Sequence, residues 1–108
     1  MTGRLKMSYA TEFATALEAK FTEDSFTVEA GRKFDKIVQS DKKYGGRGVH
    51  AFIEKATGLV IKPATWKAPQ KSIKHPTGFA VRYDISTFEG FTEAVNASDR
   101  FGGYLYEK

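Results

Sequence analysis

The amino-acid sequence predicts an α+β fold in which an antiparallel sheet of about four to five strands carries an N-terminal and a C-terminal helix on one face. Hydrophobic side chains recur with a helical period near both ends of the chain and with a period of two residues in between. The 108 residues match one domain, and their 14% of aromatic side chains supply one modest core. We therefore expect a single domain over residues 1–108, with residues 1–7 disordered.

The first helix is predicted over residues 8–21. Apolar side chains recur there at positions i, i+3, i+4, i+7 and i+11, a spacing that puts them on one helical face. They are Ala10, Phe13, Ala14, Leu17 and Phe21. Ser8 precedes this stripe, and its hydroxyl can cap the helix by accepting a hydrogen bond from a free backbone N–H.

A second helix is predicted near the C-terminus, from the capping box Ser86–Glu89 to about Asp99. Phe88, Phe91 and Val95 follow at i, i+3 and i+7, which gives this helix an apolar face as well. We expect both helices to cover the same side of the sheet, because each apolar stripe must be buried. The strand residues expected beneath them are Phe26, Val28, Val81 and Tyr83.

The central part of the chain has the two-residue period of β-strands. The predicted strands cover residues 26–30, 32–38, 49–53, 59–62 and 79–85. The segments within residues 34–62 are predicted to form an antiparallel meander, and residues 104–106 either add a short strand or pack against the core. His50 alternates with Val49 and Ala51, so we expect its imidazole on the face opposite the core or at the sheet surface.

Two connections between strands have a composition that suits binding. Residues 42–48 combine lysine and arginine with glycine. Such a loop either binds an anion through converging backbone N–H groups or simply turns a hairpin. Residues 63–78 form a longer connection that holds all three prolines of the chain, and loops of this length are often functional.

Charge is unevenly distributed along the chain. The net charge is +4, but residues 32–82 hold 12 basic and 3 acidic side chains. That middle part therefore carries +9, whereas the two ends together carry −5. Such segregation either creates a field that favours an anionic partner or makes a well-solvated, lysine-rich surface.

The sequence offers little material for catalysis. It has no cysteine, which excludes disulfides, thiolate zinc sites and a cysteine nucleophile. The two histidines, His50 and His75, lie in different segments without the spacing of a metal motif. No Gly-x-Ser-x-Gly elbow or Walker loop is present, and no apolar run reaches the ~18 residues of a membrane span. We therefore expect a non-enzymatic protein without a metal, a cofactor or a membrane partner.

Trp66 is the only tryptophan and lies between Pro63 and Pro69, among several lysines. Each proline fixes its φ angle, so the loop can hold an indole ring rigidly. The ring either anchors the core or forms a platform on which a base stacks while cations contact the phosphates. The candidate residues for binding a nucleic acid or a nucleotide are Lys36, Lys42, Lys43, Arg47, Lys62, Trp66, Lys67, Lys71 and Arg82.

Several segments of the chain are similar to known proteins. They cover residues 31–34, 36–38, 49–53, 60–69, 81–84 and 102–106. Together they resemble a group of small uncharacterised proteins encoded by tailed bacteriophages. The resemblance implies a protein made in the host bacterial cytoplasm, and it assigns neither an activity nor a binding residue.

Three functions are compatible with these features. The first is a non-enzymatic phage accessory protein that binds nucleic acid or a nucleotide through a basic, tryptophan-containing surface. The second is an inhibitor that docks on an acidic host protein or on an anti-phage defence protein. The third is a minor component of the virion.

Overall fold

The fold is an α+β arrangement, as predicted. A computed structural model describes residues 8–99 and 103–105 of the chain. Its elements are helix α1 (Tyr9–Lys20), strands β1 (Asp24–Ala30), β2 (Phe34–Asp41), β3 (Arg47–Glu54), β4 (Leu59–Ile61) and β5 (Val81–Asp84), helix α2 (Phe88–Ala97) and a 3-10 turn (Gly103–Leu105). The five strands pair in chain order, each antiparallel to the next. Among residues 104–106, Tyr104 and Leu105 pack down as a buried turn. The expectations for residues 1–7 and for Tyr106 lie outside the described residues.

Both helices pack on one face of the sheet, which confirms that part of the prediction. Ser8 caps α1 as expected, because its Oγ accepts the backbone N–H of Thr11 at 3.1 Å. The buried face of α1 meets strand residues such as Phe26, and the ring of Phe13 meets that of Phe91 on α2 edge to face, with centroids 6.1 Å apart. One core therefore lies between the two helices and the sheet.

Helix α2 begins one residue later than predicted. Thr87, not Ser86, is its N-cap and accepts the N–H of Gly90 at 3.0 Å, while the Ser86 hydroxyl donates to Asp84 Oδ1 at 2.6 Å. Phe88 consequently falls on the first helical position with 83% of its surface exposed. The prediction that Phe88 belongs to the core is therefore wrong.

Val81 also departs from the predicted core. The pairing between β4 and β5 shifts register between Val60 and Ile61, so that Val81 lies opposite Ile61. Val60 belongs to the core beneath the helices, whereas Ile61 and Val81 do not. Val81 is half-buried on the other face, and its predicted contact with the helices is wrong.

A β-bulge decides the position of His50. Ile37 pairs with Ala51 and the next residue, Val38, pairs with Val49, so His50 has no partner in the β2–β3 ladder. A bulge of this kind re-aims a side chain that strict alternation would send to the other face. His50 is 3% exposed on the helix-covered face, and the prediction that it lies opposite the core is wrong.

The second face of the sheet is covered by the connection between β4 and β5, residues 62–80, which we call the proline segment. Two isolated bridges hold it in shape, one from Pro63 to Pro69 and one from Lys71 to Phe79. Phe79 packs edge to face against Phe34 of β2, with ring centroids 5.1 Å apart. The long connection expected from the sequence is therefore an ordered layer that carries Trp66 across the sheet.

Candidate functional site

Trp66 lies at the surface of the proline segment, 40% exposed. Two cations from the sheet approach its ring, with Lys36 Nζ 4.6 Å and Arg47 Cζ 5.4 Å from the ring centroid. Both distances are within the range of cation–π attraction. The indole thus belongs neither to the buried core nor to an isolated exposed loop, because it forms one cluster with basic side chains.

The turn that carries Trp66 is held by local hydrogen bonds. The N–H groups of Ala64 and Thr65 both donate to the carbonyl of Ala68. In return, the Thr65 hydroxyl accepts the N–H groups of Lys67 at 3.2 Å and of Ala68 at 3.1 Å. Because the turn itself pairs these four N–H groups and a bridge between Pro63 and Pro69 closes it, the indole is presented at low entropic cost.

Glu29 links the two cations above the ring. Its Oε1 lies 3.8 Å from Lys36 Nζ, and its Oε2 lies 3.2 Å from Arg47 Nη2. Glu29 and Lys36 are directly paired residues of β1 and β2, so the sheet itself brings these charges together. The cluster is therefore a small network of two cations, one carboxylate and one indole.

A groove of about 310 Å³ borders this cluster. Its basic lining comes from the sheet, the β1–β2 turn and the proline segment, and comprises Arg32, Lys33, Lys36 and Lys67. Lys33 Nζ also lies 5.6 and 5.8 Å from the ring centroids of Phe34 and Phe79. We call Lys33, Lys36, Arg47, Trp66 and Lys67 the Trp66 surface. Lys33, Lys36 and Lys67 line the groove, and Trp66 and Arg47 adjoin it through their contacts with Lys36 and with each other.

Sequence reasoning missed Lys33 and the aromatic pair beside it. The available signal was the Arg32–Lys33 dipeptide between two predicted strands, which places two cations at a hairpin turn. The contact between Phe34 and Phe79 could not be found this way. The two rings lie far apart in sequence and meet only because the proline segment folds back over β2.

Lys42 and Lys43, two predicted binding residues, are exposed at the β2–β3 turn and do not line the groove. An acceptor within the turn itself takes two of its backbone donors. The N–H groups of Lys43 and Tyr44 donate to Asp41 Oδ1 at 2.7 and 2.9 Å. An acidic side chain of the chain itself takes these two donors, which favours the hairpin interpretation of residues 42–48.

Of the nine predicted residues, only Lys36 and Lys67 line the groove, and Arg47 and Trp66 adjoin it; Lys62, Lys71 and Arg82 do not line it. Lys62 is half-buried at the start of the proline segment, and its backbone bonds to Gln70 and Ala80. Lys71 is exposed at the bridge to Phe79. Arg82 donates from Nε to the carbonyl of Leu105 at 2.7 Å, which ties its guanidinium to the buried C-terminal turn. The structure therefore does not bring Arg82 to the Trp66 surface.

A row of hydrogen-bonded, mostly buried polar side chains lies on the helix-covered face of the sheet. Gln39 Nε2 donates to Asp24 Oδ2 at 2.6 Å, and Gln39 Oε1 lies 3.0 Å from His50 Nδ1. His50 Nε2 lies 2.8 Å from the Tyr104 hydroxyl. Burial lowers the pKa of His50 from 6.5 to about 4, although the negative charges of Asp99 and Asp24 partly oppose this shift. At neutral pH the imidazole is therefore uncharged and acts as a structural link.

The described residues, 8–99 and 103–105, contain no group of three or more His, Asp or Glu side chains arranged to hold a metal ion. Among the helices described within those same ranges, neither length nor hydropathy suffices for crossing a membrane.

The fold and the Trp66 surface together define a small α+β domain with a basic, aromatic cluster beside a groove on the face away from its helices. The chain belongs to DUF7717, a family of unknown function whose model matches residues 2–107. Comparisons with curated proteins and with solved structures find no match.

Proposed function

We propose that this protein is a non-enzymatic accessory protein that binds a nucleic acid or a nucleotide through the Trp66 surface. The observation that carries the proposal is a partly exposed indole with two cations within 5.4 Å of its ring centroid, beside a groove lined by further cations. In line with the resemblance to phage proteins, we propose that it acts in the cytoplasm of an infected bacterium.

The chemistry of this cluster suits a nucleotide unit. An aromatic face offers stacking to any base, which contributes about 1–3 kcal/mol per base in single-strand complexes. Lysine and arginine next to the ring are suited to the phosphates that accompany the base. A groove of about 310 Å³ falls within the size range of small-ligand pockets and suits a nucleotide or part of a single strand.

The single tryptophan provides a direct test, because all indole fluorescence reports on this surface. A single-stranded oligonucleotide, the matching duplex and a mononucleotide are titrated at low and at raised salt. We expect a salt-sensitive fluorescence change, and Lys67→Ala should reduce the slope of log K against log salt by about one unit. The matched control is Lys74→Ala, which removes the same charge from the proline segment outside the groove. If no nucleic acid or nucleotide changes the fluorescence at low salt, the proposal is wrong.

A second candidate is an inhibitor that docks on an acidic host or defence protein. The observation that favours it is the fully exposed Ile73 between Lys71 and Lys74, since an apolar side chain flanked by cations suits an acidic, partly apolar surface. In this case, a discrete complex recovered from infected cells should be lost with Ile73→Ser and should survive nuclease treatment. Loss of the complex on nuclease treatment would instead favour the first candidate.

A further inference from the structure

The carboxylate of Glu29 occupies a position with unusual surroundings. It lies 3.2 Å from the guanidinium of Arg47 and 3.8 Å from the ammonium of Lys36, and both of these cations approach the Trp66 ring. The Lys36 side chain is only 15% exposed, whereas the Glu29 and Arg47 side chains are about half-exposed. Lys36 is therefore the fixed part of the cluster, while the half-exposed Glu29 carboxylate has room to move away.

This arrangement is an anion site that already contains an anion. A carboxylate and a phosphate both present negatively charged oxygens to lysine and arginine, and arginine pairs with both groups in the same planar geometry. An oxyanion between Lys36 and Arg47 would also be next to the indole, as the phosphate of a nucleotide stacked on Trp66 must be. In the free chain, one anionic group thus already lies beside both cations.

We infer that Lys36 and Arg47 are the phosphate anchor of the Trp66 surface, and that Glu29 holds the place of the phosphate in the free protein. The inference rests on the proposed function and names the point at which the ligand's phosphate binds. A phosphate that enters must displace the Glu29 carboxylate, so Glu29 lowers the affinity for every phosphate-bearing ligand. A ligand without a phosphate leaves the Glu29 carboxylate in place, so its affinity is not lowered in this way.

The test compares Glu29→Gln with Glu89→Gln, which removes the same charge from an exposed position on α2, on the opposite face. Pyrophosphate and a single-stranded oligonucleotide are titrated at low salt, with Trp66 fluorescence as the readout. We expect Glu29→Gln to bind both probes about two- to fivefold more tightly. A phosphate no longer has to break the surface ion pairs of Glu29, and the free energy of such a pair corresponds to an affinity ratio of about this size. Glu89→Gln should change the affinity much less, since a distant charge is screened.

A double-mutant cycle ties the effect to the anchor. In the Arg47→Gln background, Glu29→Gln should give a smaller gain than in the natural chain, because one of the two cations that Glu29 competes for is missing.

Equal effects of Glu29→Gln and Glu89→Gln, or weaker binding by Glu29→Gln, would overturn the anchor while oligonucleotide binding itself persists. Binding of pyrophosphate without any binding of nucleotides or oligonucleotides would leave the anchor standing and overturn the proposed function. Absence of binding to either probe by the natural chain and by Glu29→Gln would overturn both.

Discussion

The imidazole Nε2 of His50 lies 2.8 Å from the hydroxyl oxygen of Tyr104, and this contact joins β3 to the C-terminal 3-10 turn. The proton positions follow from the neighbouring groups. The Asp24 carboxylate only accepts, so Gln39 turns its amide nitrogen toward Asp24 and its oxygen toward His50 Nδ1. His50 therefore carries its proton on Nδ1, and Nε2 accepts the hydrogen bond that Tyr104 donates.

The first prediction concerns the pH dependence of stability. Because burial lowers the pKa of His50 to about 4, the unfolded chain takes up a proton near pH 6.5 whereas the folded chain does not. The stabilisation is complete above pH 6.5 and is lost as the pH falls toward 4, by roughly 3 kcal/mol over this window. Urea unfolding at a series of pH values should show this decline.

Replacing His50 isolates its contribution to the loss of stability at low pH. His50→Gln should be less stable at neutral pH but should depend less on pH between 6.5 and 4. His75→Gln, at the surface of the proline segment, serves as the control and should keep the slope of the natural chain. An unchanged pH slope in His50→Gln would contradict the assignment of the decline to this buried imidazole.

The second prediction concerns the partner of His50. Tyr104→Phe removes the hydroxyl that donates to His50 Nε2 and leaves a buried acceptor, which should lower the free energy of unfolding by about 1–3 kcal/mol. Tyr44→Phe removes a hydroxyl from a residue that is mostly exposed, so its melting temperature should stay close to that of the natural chain. If thermal melting gives equal stabilities for the two variants, the hydrogen bond adds no net stability.

The third prediction uses two phenylalanines of the same helix. Phe91 packs against Phe13 in the core, so Phe91→Ala should cost about 3 kcal/mol of unfolding free energy. Phe88 lies one turn earlier and is mostly exposed, so Phe88→Ala should change the stability by less than about 0.5 kcal/mol. Chemical denaturation of both variants checks the difference. A large loss in Phe88→Ala would mean that this ring is covered in solution.

The fourth prediction separates stacking from charge at the Trp66 surface. Trp66→Ala should weaken binding of a single-stranded oligonucleotide by about 1–3 kcal/mol and leave its salt dependence nearly unchanged. Lys67→Ala should weaken binding and also reduce the salt dependence. Because the fluorophore is lost in Trp66→Ala, anisotropy of a labelled oligonucleotide is the measurement.

Both binding variants must first be shown to fold, by thermal melting. Trp66 is partly exposed and its turn is closed by backbone hydrogen bonds, so we expect Trp66→Ala to remain folded. Should Trp66→Ala unfold the domain, the stacking platform loses its main residue and docking on an acidic protein becomes the better hypothesis.

Local periodicity was sufficient to predict the order and type of the elements. The helical stripe behind Ser8 and the alternation in the middle of the chain depend on neighbours a few residues apart, and antiparallel strands joined by short turns follow from the same information. For the binding surface, residue type and position along the sequence predicted Lys36, Arg47, Trp66 and Lys67 as residues suited to a nucleotide. It could not separate these from Arg82, which has the same charge in a similar strand pattern but bonds to Leu105.

The sequence by itself determined the fold class, the helix cap at Ser8 and the segregation of positive charge, because each depends on composition or on neighbours along the chain. The tertiary structure decided which side chains meet. A single bulge moved His50 to the buried face, and the folding of the proline segment across β2 brought Trp66 to Lys36 and Arg47. Such contacts depend on strand register and on how a long connection packs, and both are set by the whole core rather than by any local pattern.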